Sequence, residues 1–308
     1  MYIIKCPVCK STHTIKYGKR NNIQLYKCVN CNYQFRNIQE ISLIDLWDKY
    51  QNGKQTIKEL STIYKVSEST IKRLLQKIKK EWNQPPLKGS GFVHLDVTYW
   101  GHNFGVFLAI DSATGKVLYM AFVKNETIQD YKNAIESITE RGYIIRGIII
   151  DGKQHLFKIF SNYPIQMCQY HMIQIVKRYL TNNPKMHVSK ELKELISRLT
   201  TIKKCDFENE YNSWKSKWEK TLNRRSLLKS GKTTYTHRRL RSAMNSIDFY
   251  LDFLFTYQKE ECKGMPNTNN KIEGTFTDLK KNLNNHSGLS MENRKRFICG
   301  FFLALNDD

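Results

Sequence analysis

Along this 308-residue chain the spacing of apolar positions changes character several times, and each change marks a structural unit. The earliest apolar residues alternate with polar ones: Thr14-Ile15-Lys16-Tyr17-Gly18 and Leu25-Tyr26-Lys27 read as short strands. From Ser42 to Trp82 the spacing is helical. Ile57, Leu60, Ile63 and Tyr64 share one face, Lys65-Val66-Ser67 makes a turn, and Ile71, Leu74, Leu75 and Ile78 share the next face. Ser67 or Ser69 stands where it would cap the second helix. The stretch Gln84-Pro85-Pro86-Leu87-Lys88-Gly89-Ser90-Gly91 breaks both periods and predicts a linker.

Beyond the linker, alternation predicts three strands over residues 92–99, 103–111 and 116–124, with Ser112-Ala113-Thr114-Gly115 as a hairpin turn. A helix follows over 127–141, with Tyr131, Ile135 and Ile138 on one side. A strand at 146–151, a helix at 154–161, a strand at 164–167 and a helix at 169–180 complete the pattern. Three antiparallel strands, a helix, then parallel strands with helices is the element order of an α/β ribonuclease-H-like fold. That order sets the first and fourth strands side by side. From residue 189 to about 261 the reading is helical and basic with no strand pattern. With the CxxC pairs Cys6-Pro7-Val8-Cys9 and Cys28-Val29-Asn30-Cys31 marking residues 1–40 as a zinc ribbon, the expected domains are that ribbon, a helix-turn-helix at 41–84 and a ribonuclease-H-like domain at 92–308, with an all-helical insertion at about 185–263.

Charge sharpens this picture. Lys and Arg number 50 against 28 Asp and Glu, a formal net charge of +22, which favours a polyanionic partner such as DNA. Residues 1–86 carry 16 basic and 6 acidic side chains, and 214–245 carry 10 basic against Glu219 alone. Arg224, Arg225, Arg238, Arg239 and Arg241 lie in the second stretch and are candidate phosphate contacts. No run of 18 apolar residues and no signal-peptide pattern occurs, so a cytoplasmic protein without a membrane partner is expected. Its eight cysteines would then serve as metal ligands or buried thiols, not disulfides.

Two cysteine pairs have ligand spacing. Cys6-Pro7-Val8-Cys9 and Cys28-Val29-Asn30-Cys31 are CxxC knuckles, which predict four thiolates around one structural Zn2+. In the helical pair, Ser69, Thr70, Lys72 and Arg73 occupy the polar face of the second helix and suit a DNA major groove; a plain helical hairpin is the competing reading. Cys168 and His171, three residues apart, share one helix face as a structural or site-shaping pair. Cys205, Cys262 and Cys299 read as core thiols. Trp100 would stack on a base or pack in the core, and Trp214 and Trp218 read as helix-packing residues.

Three carboxylates stand out. Asp96 and Asp151 close β-branched strands, and Glu273 opens a helix-like segment after Asn269-Asn270-Lys271-Ile272. Asp111, Asp278 and Glu292 compete, but Asp111 precedes a turn that aspartate commonly caps, and the other two lack the asparagine-rich lead-in. Carboxylates gathered from separate elements repel one another, and a pair of hard divalent cations is the usual reason to gather them. Such a pair supports in-line phosphoryl transfer on a nucleic acid.

Asp151-Gly152, Cys168-Gln169-Tyr170-His171 and Asn269-Asn270-Lys271-Ile272-Glu273-Gly274, in this order, resemble the bacterial insertion-sequence DDE transposases of the Mutator-like lineage. The resemblance spans residues 92–306. It implies a catalytic triad of Asp96, Asp151 and Glu273 holding two Mg2+ ions, with Mn2+ able to substitute. It also implies binding to terminal inverted repeats and target DNA, a homo-oligomer on that DNA, and location at the bacterial nucleoid. Lys153 after the second Asp-Gly departs from the pattern. A non-catalytic, domesticated DNA-binding relative is the alternative, and a nuclease or resolvase of the same fold a third reading.

Overall fold

In the computed structural model, residues 4–20, 23–36, 41–83 and 85–307 are described; parts of the expected ribbon and Gln84 of the expected linker lie outside them. The chain divides into two units, Met1–Ile78 and Lys79–Asp308.

In the first unit, alternating residues form an antiparallel sheet of β1 (Thr14–Arg20), β2 (Ile23–Cys28) and β3 (Gln34–Arg36), in the order β1-β2-β3. Its buried side chains are Cys6, Cys28 and Phe35, with Ile4 and Tyr26 against them. So small an apolar cluster offsets little chain entropy by itself. Three helices follow: α1 (Leu43–Gln51), α2 (Ile57–Ile63) and α3 (Glu68–Gln76). The pattern reading anticipated α2 and α3 but not α1, whose Leu46, Trp47 and Tyr50 are buried. Each helix has a side-chain cap. Thr56 and Glu59 form a reciprocal capping box on α2, and Ser67, not Ser69, accepts the Thr70 N–H at 3.2 Å on α3. Fully buried Leu46, Leu60 and Ile71 lie on α1, α2 and α3, which pack on one another.

The second unit is built on β4 (Ser90–Tyr99), β5 (Gly105–Asp111), β6 (Val117–Val123), β7 (Ile144–Ile150) and β8 (Ile165–Met167), ordered β6-β5-β4-β7-β8. β4 pairs antiparallel with β5 and parallel with β7, so the first and fourth strands of this sheet are neighbours, as the ribonuclease-H-like order requires. β5, between two strands, is buried throughout. Asp111 ends it by accepting from Thr114 N at 2.6 Å and Thr114 Oγ1 at 2.7 Å, the turn-capping role expected of it. Helices α4 (Ile128–Glu140), α5 (Gln154–Ile159) and α6 (Gln169–Leu180) connect and cover the strands.

The next segment contains α7 (His187–Ser197), α8 (Lys204–Lys217), α9 (Glu219–Asn223) and α10 (Arg238–Leu254). It also contains a two-stranded hairpin, β9 (Arg225–Leu227) with β10 (Thr233–Tyr235), where no strand was expected. Thr233-Thr234-Tyr235 is β-branched and aromatic, and Gly231 supplies the positive φ of +76° that the turn requires. α10 lies against α6 and β8, and its Leu240, Ala243, Ile247 and Tyr250 join the same buried cluster as the sheet. Trp214 and Trp218 pack as expected, donating through Nε1 to Val188 O at 3.0 Å and Glu191 Oε2 at 2.8 Å. Cys262 and Cys299 are buried, whereas Cys205 is exposed: position 205 falls on the solvent side of the first turn of α8. Finally α11 (Asn270–Asn284) packs on β4 and α12 (Met291–Asp307) on β6. Among the described residues no helix is long and apolar enough to cross a membrane.

Candidate active site

Strand register places the two aspartates together. His94 of β4 stands opposite Ile149 of β7, so two residues further along each parallel strand lie Asp96 and Asp151, on one face by alternation. Asp151 is the first residue past the end of β7. The following Gly152 occupies a tight space. A Cβ there would sit 3.0 Å from both Ile175 Cδ1 and Met167 Cε, and Tyr250 Oη donates to its carbonyl.

Glu273 arrives from the other end of the sequence, in the first turn of α11, and the start of that helix is clamped at three points. Asn269, fully buried, meets His94 Nδ1 at 2.7 Å through its Oδ1 and donates from Nδ2 to Leu95 O at 3.4 Å. Its backbone N–H donates to Cys168 Sγ at 3.2 Å. Gln169 N donates to Asn267 O at 2.9 Å, and Asn267 Nδ2 to Gln169 Oε1 at 2.8 Å. The asparagine-rich lead-in thus ties α11 to β4 and α6.

The electrostatics are those of crowded acids. Burial pushes the Asp96 carboxyl up to about 8, and the neighbouring Asp151, Glu126 and Glu273 add to the rise. Asp151 is raised by burial and by Glu126, with His171 and Lys153 opposing. Asp151 Oδ1 and Glu273 Oε1 are buried without a hydrogen-bond partner. Both are oxygen donors left for a cation, and carboxylates of this kind fit Mg2+. Glu273 is turned toward α6 in this structure. Its Oε1 lies 3.7 Å from His171 Nδ1, and ligand atoms of Cys168, His171 and Glu273 all fall within 4.8 Å of one another. The two aspartates do not belong to that tighter group.

Pattern reading overlooked Glu126. It follows β6, precedes the Thr127 cap of α4, and its carboxylate acts on both Asp96 and Asp151. Lys153, the departure noted after Asp151-Gly152, pairs with Glu126 at 2.5 Å, and Tyr131 Oη donates to Glu126 as well. The available signal was Glu126's place just past a strand end, shared with Asp151.

In the first unit, Cys6, Cys9, Cys28 and Cys31 converge, with ligand atoms all within 4.8 Å. Backbone N–H groups of Val8 and Cys9 face Cys6 Sγ, and those of Asn30 and Cys31 face Cys28 Sγ. Four thiols in this geometry fit one tetrahedral zinc. On α3, Ser69, Lys72 and Arg73 are exposed, while Thr70 is half-buried and pairs with Ser67 Oγ at 3.0 Å.

The basic arginines divide into two sets. Arg224, Arg225 and Arg238 are exposed, with the Arg225 guanidinium 4.7 Å from the Tyr235 ring centroid. Arg239 donates to Arg178 O at 2.6 Å. Arg241 donates to Leu222 O at 3.2 Å and Asn223 Oδ1 at 3.1 Å, and lies 3.8 Å over Tyr235. These last two serve the fold in this structure. Trp100 tilts against Phe104 at 5.8 Å, with Lys280 Nζ 5.8 Å over its ring.

No family model matches the chain, and no curated protein matches it. Among solved structures it is similar to the HTLV-2 integrase catalytic core domain in complex with magnesium (17% identity, 37% of this chain and 88% of that one, TM-score 0.21). It is also similar to the Drosophila P element transposase strand transfer complex (13%, 87% and 65%, 0.36). A third likeness is to the simian T-cell lymphotropic virus intasome with a PP2A regulatory subunit (13%, 61% and 60%, 0.21). The chain spans less than two thirds of the last two. At these TM-scores the functional reading rests on the residues of the site.

Proposed function

We propose that this chain is a DDE transposase of the bacterial Mutator-like lineage, cutting and joining the ends of its own element. The observation that supports this reading is that Asp96 and Asp151 follow in register on neighbouring parallel strands while the charge of Glu273 reaches Asp96. Asp96, Asp151 and Glu273 come from β4, the end of β7 and α11, Asp96 is raised by burial and then by the carboxylates around it, and two acid oxygens are left without hydrogen-bond partners. These three residues would hold two Mg2+ ions, which would charge a water and later a DNA 3′-hydroxyl while steadying the leaving oxygen. Asn269 and His94 position Glu273, and Lys153 neutralises part of Glu126 beside the aspartates. The test is cleavage of duplex DNA carrying the element's terminal repeat, in Mg2+ and then in Mn2+. Absence of any strand cleavage with either ion would overturn the reading.

Cys6, Cys9, Cys28 and Cys31 would hold one Zn2+, supplying the folding energy their small cluster lacks. The four-cysteine cluster is expected to account for about one zinc per chain, which Cys28→Ser should lose while exposing the ribbon to proteolysis. A ribbon still protected in Cys28→Ser would count against a structural metal.

Sequence-selective duplex binding is assigned to the first unit, with Ser69, Thr70, Lys72 and Arg73 of α3 in a major groove, and Arg224, Arg225 and Arg238 of the second unit are assigned to DNA phosphates. Arg73→Ala should weaken binding to terminal-repeat DNA by about 1–3 kcal/mol and to random DNA by much less. Equal losses on both would make Arg73 a phosphate contact only.

Gly274, exposed in α11 beside Glu273, has nothing within 4 Å of a notional Cβ. A glycine in a helix interior costs about 0.5–1 kcal/mol relative to alanine. Its use here would be to let a DNA backbone approach the acids. Gly274→Ala is therefore expected to raise the melting temperature while slowing cleavage. A stabilised variant with an unchanged rate would show that nothing comes close at that turn.

A further inference from the structure

Two potential metal ligands, Cys168 and His171, have no part in the reaction proposed above. Cys168, fully buried, occupies the cap position of α6, and the backbone N–H groups of Tyr170 and His171 face its sulfur together with that of Asn269. Donors from the second and third residues onward are what Cys6 receives from Val8 and Cys9, and Cys28 from Asn30 and Cys31. Cys168-Gln169-Tyr170-His171 therefore repeats at the start of α6 the local geometry of the two cysteine knuckles. These N–H groups favour a thiolate, the form that binds metal, but burial outweighs them and pushes the Cys168 thiol up to about 11, so a bound cation would have to displace its proton.

A buried thiol that merely capped the helix would explain these N–H contacts. It would not explain the other two side chains. His171 Nδ1 and Glu273 Oε1 lie 3.7 Å apart, each buried and without a hydrogen-bond partner, and both residues bring a ligand atom within 4.8 Å of Cys168 Sγ and of each other. Buried polar atoms are ordinarily satisfied, so two orphans converging on a sulfur mark room for a shared cation.

We propose that Cys168, His171 and Glu273 form a second metal site, selective for a borderline-soft divalent cation such as Zn2+ or Co2+. Sulfur, imidazole and carboxylate are that class's ligands, whereas Mg2+ takes oxygen and does not compete for the thiolate. The His171 and Glu273 side chains are 32% and 34% exposed, which gives the ion a path in and leaves a fourth position for water.

Glu273 is common to this site and to the acid site, so the two cations compete for one carboxylate. A soft ion drawn to Cys168 and His171 holds Glu273 away from Asp96 and Asp151. Zn2+ occupancy would thus inhibit Mg2+-dependent cleavage, a consequence that rests on the function proposed above.

The test uses the full chain with its four-cysteine cluster already zinc-loaded. Co2+ titration should add about one equivalent, with a thiolate-to-cobalt charge-transfer band in the near ultraviolet that added Zn2+ bleaches. Cys168→Ser should abolish that band, and His171→Asn should weaken Co2+ binding by roughly tenfold or more. His171 accepts no hydrogen bond at Nδ1 and is partly exposed, so His171→Asn decides the matter should Cys168→Ser fail to fold. No second equivalent, or a band that survives both substitutions, overturns the site. Cobalt binding with no inhibition of cleavage by micromolar Zn2+ overturns the competition. A protein that binds cobalt here yet cleaves no DNA under any condition keeps the site and overturns the proposed function instead.

Discussion

Asp96→Asn, Asp151→Asn and Glu273→Gln should each lower strand cleavage by about 1000-fold or more, the scale on which a principal electrostatic group is lost from a phosphoryl-transfer site. Each amide keeps the shape of its acid and removes the negative charge that would neutralise the cations. Binding to terminal-repeat DNA should stay nearly unchanged, because the exposed Ser69, Lys72 and Arg73 assigned to it lie on α3, in the other unit. Cleavage on a labelled duplex and binding by gel shift separate the two effects. Any one variant retaining more than about a tenth of wild-type cleavage, a loss of only about 1.4 kcal/mol of transition-state stabilisation, would remove that residue from the site. Glu126→Gln is expected to be milder, since Glu126 is already paired with Lys153 at 2.5 Å.

Metal-free protein should lose stability as pH rises from about 6 toward 8, and Asp96→Asn should remove much of that loss. The Asp96 carboxyl is raised from an ordinary 3.8 to about 8, first by burial and then by Asp151, Glu126 and Glu273. A folded-state value above the unfolded one means that the folded chain binds the extra proton. Stability contributed by this group is therefore largest at low pH and falls as pH climbs through the window between about 4 and about 8. Within that window the slope approaches about 1.4 kcal/mol per pH unit for one group. In a chain of this size that corresponds to roughly 2–4 °C of melting temperature per kcal/mol. Mg2+ binds only the ionised acids, so it should restore more stability at pH 8 than at pH 6. The measurement is the melting temperature of wild type minus that of Asp96→Asn across this range, with and without Mg2+. A flat difference would mean that Asp96 is not held among uncompensated acids.

Much of the architecture was legible because it is local. Alternation located β4 to β8 within two residues at each end, and helical spacing located α2 and α3, with Ser67 or Ser69 expected to cap the second. The CxxC pairs converge because each knuckle is a turn whose shape is set within four residues, leaving only the pairing of β1 with β2 to bring them together. The hairpin β9–β10 escaped notice for the complementary reason. Its strands are three residues long, too short for alternation to register against the basic helical sequence around them.

By itself, then, the sequence determined the periods and turns, and with them the strand-end position of Asp151 and the helix-start position of Glu273; Asp96, expected to close its strand, lies inside β4, which pairs with β5 through Tyr99. Tertiary structure decided what those acids face. Only the packing of α4 beside the sheet brings Glu126 to the aspartates, and only the clamp of Asn269 on His94, Leu95 and Cys168 turns Glu273 toward His171. The same holds for Arg239 and Arg241, two basic residues in a basic run, which packing commits to backbone carbonyls of α6 and α9. Periodicity is a property of neighbours along the chain. The partners of a buried charge come from elements as much as 175 residues apart, as His94 and Asn269 do, and are set by the pairing of surfaces that no local pattern encodes.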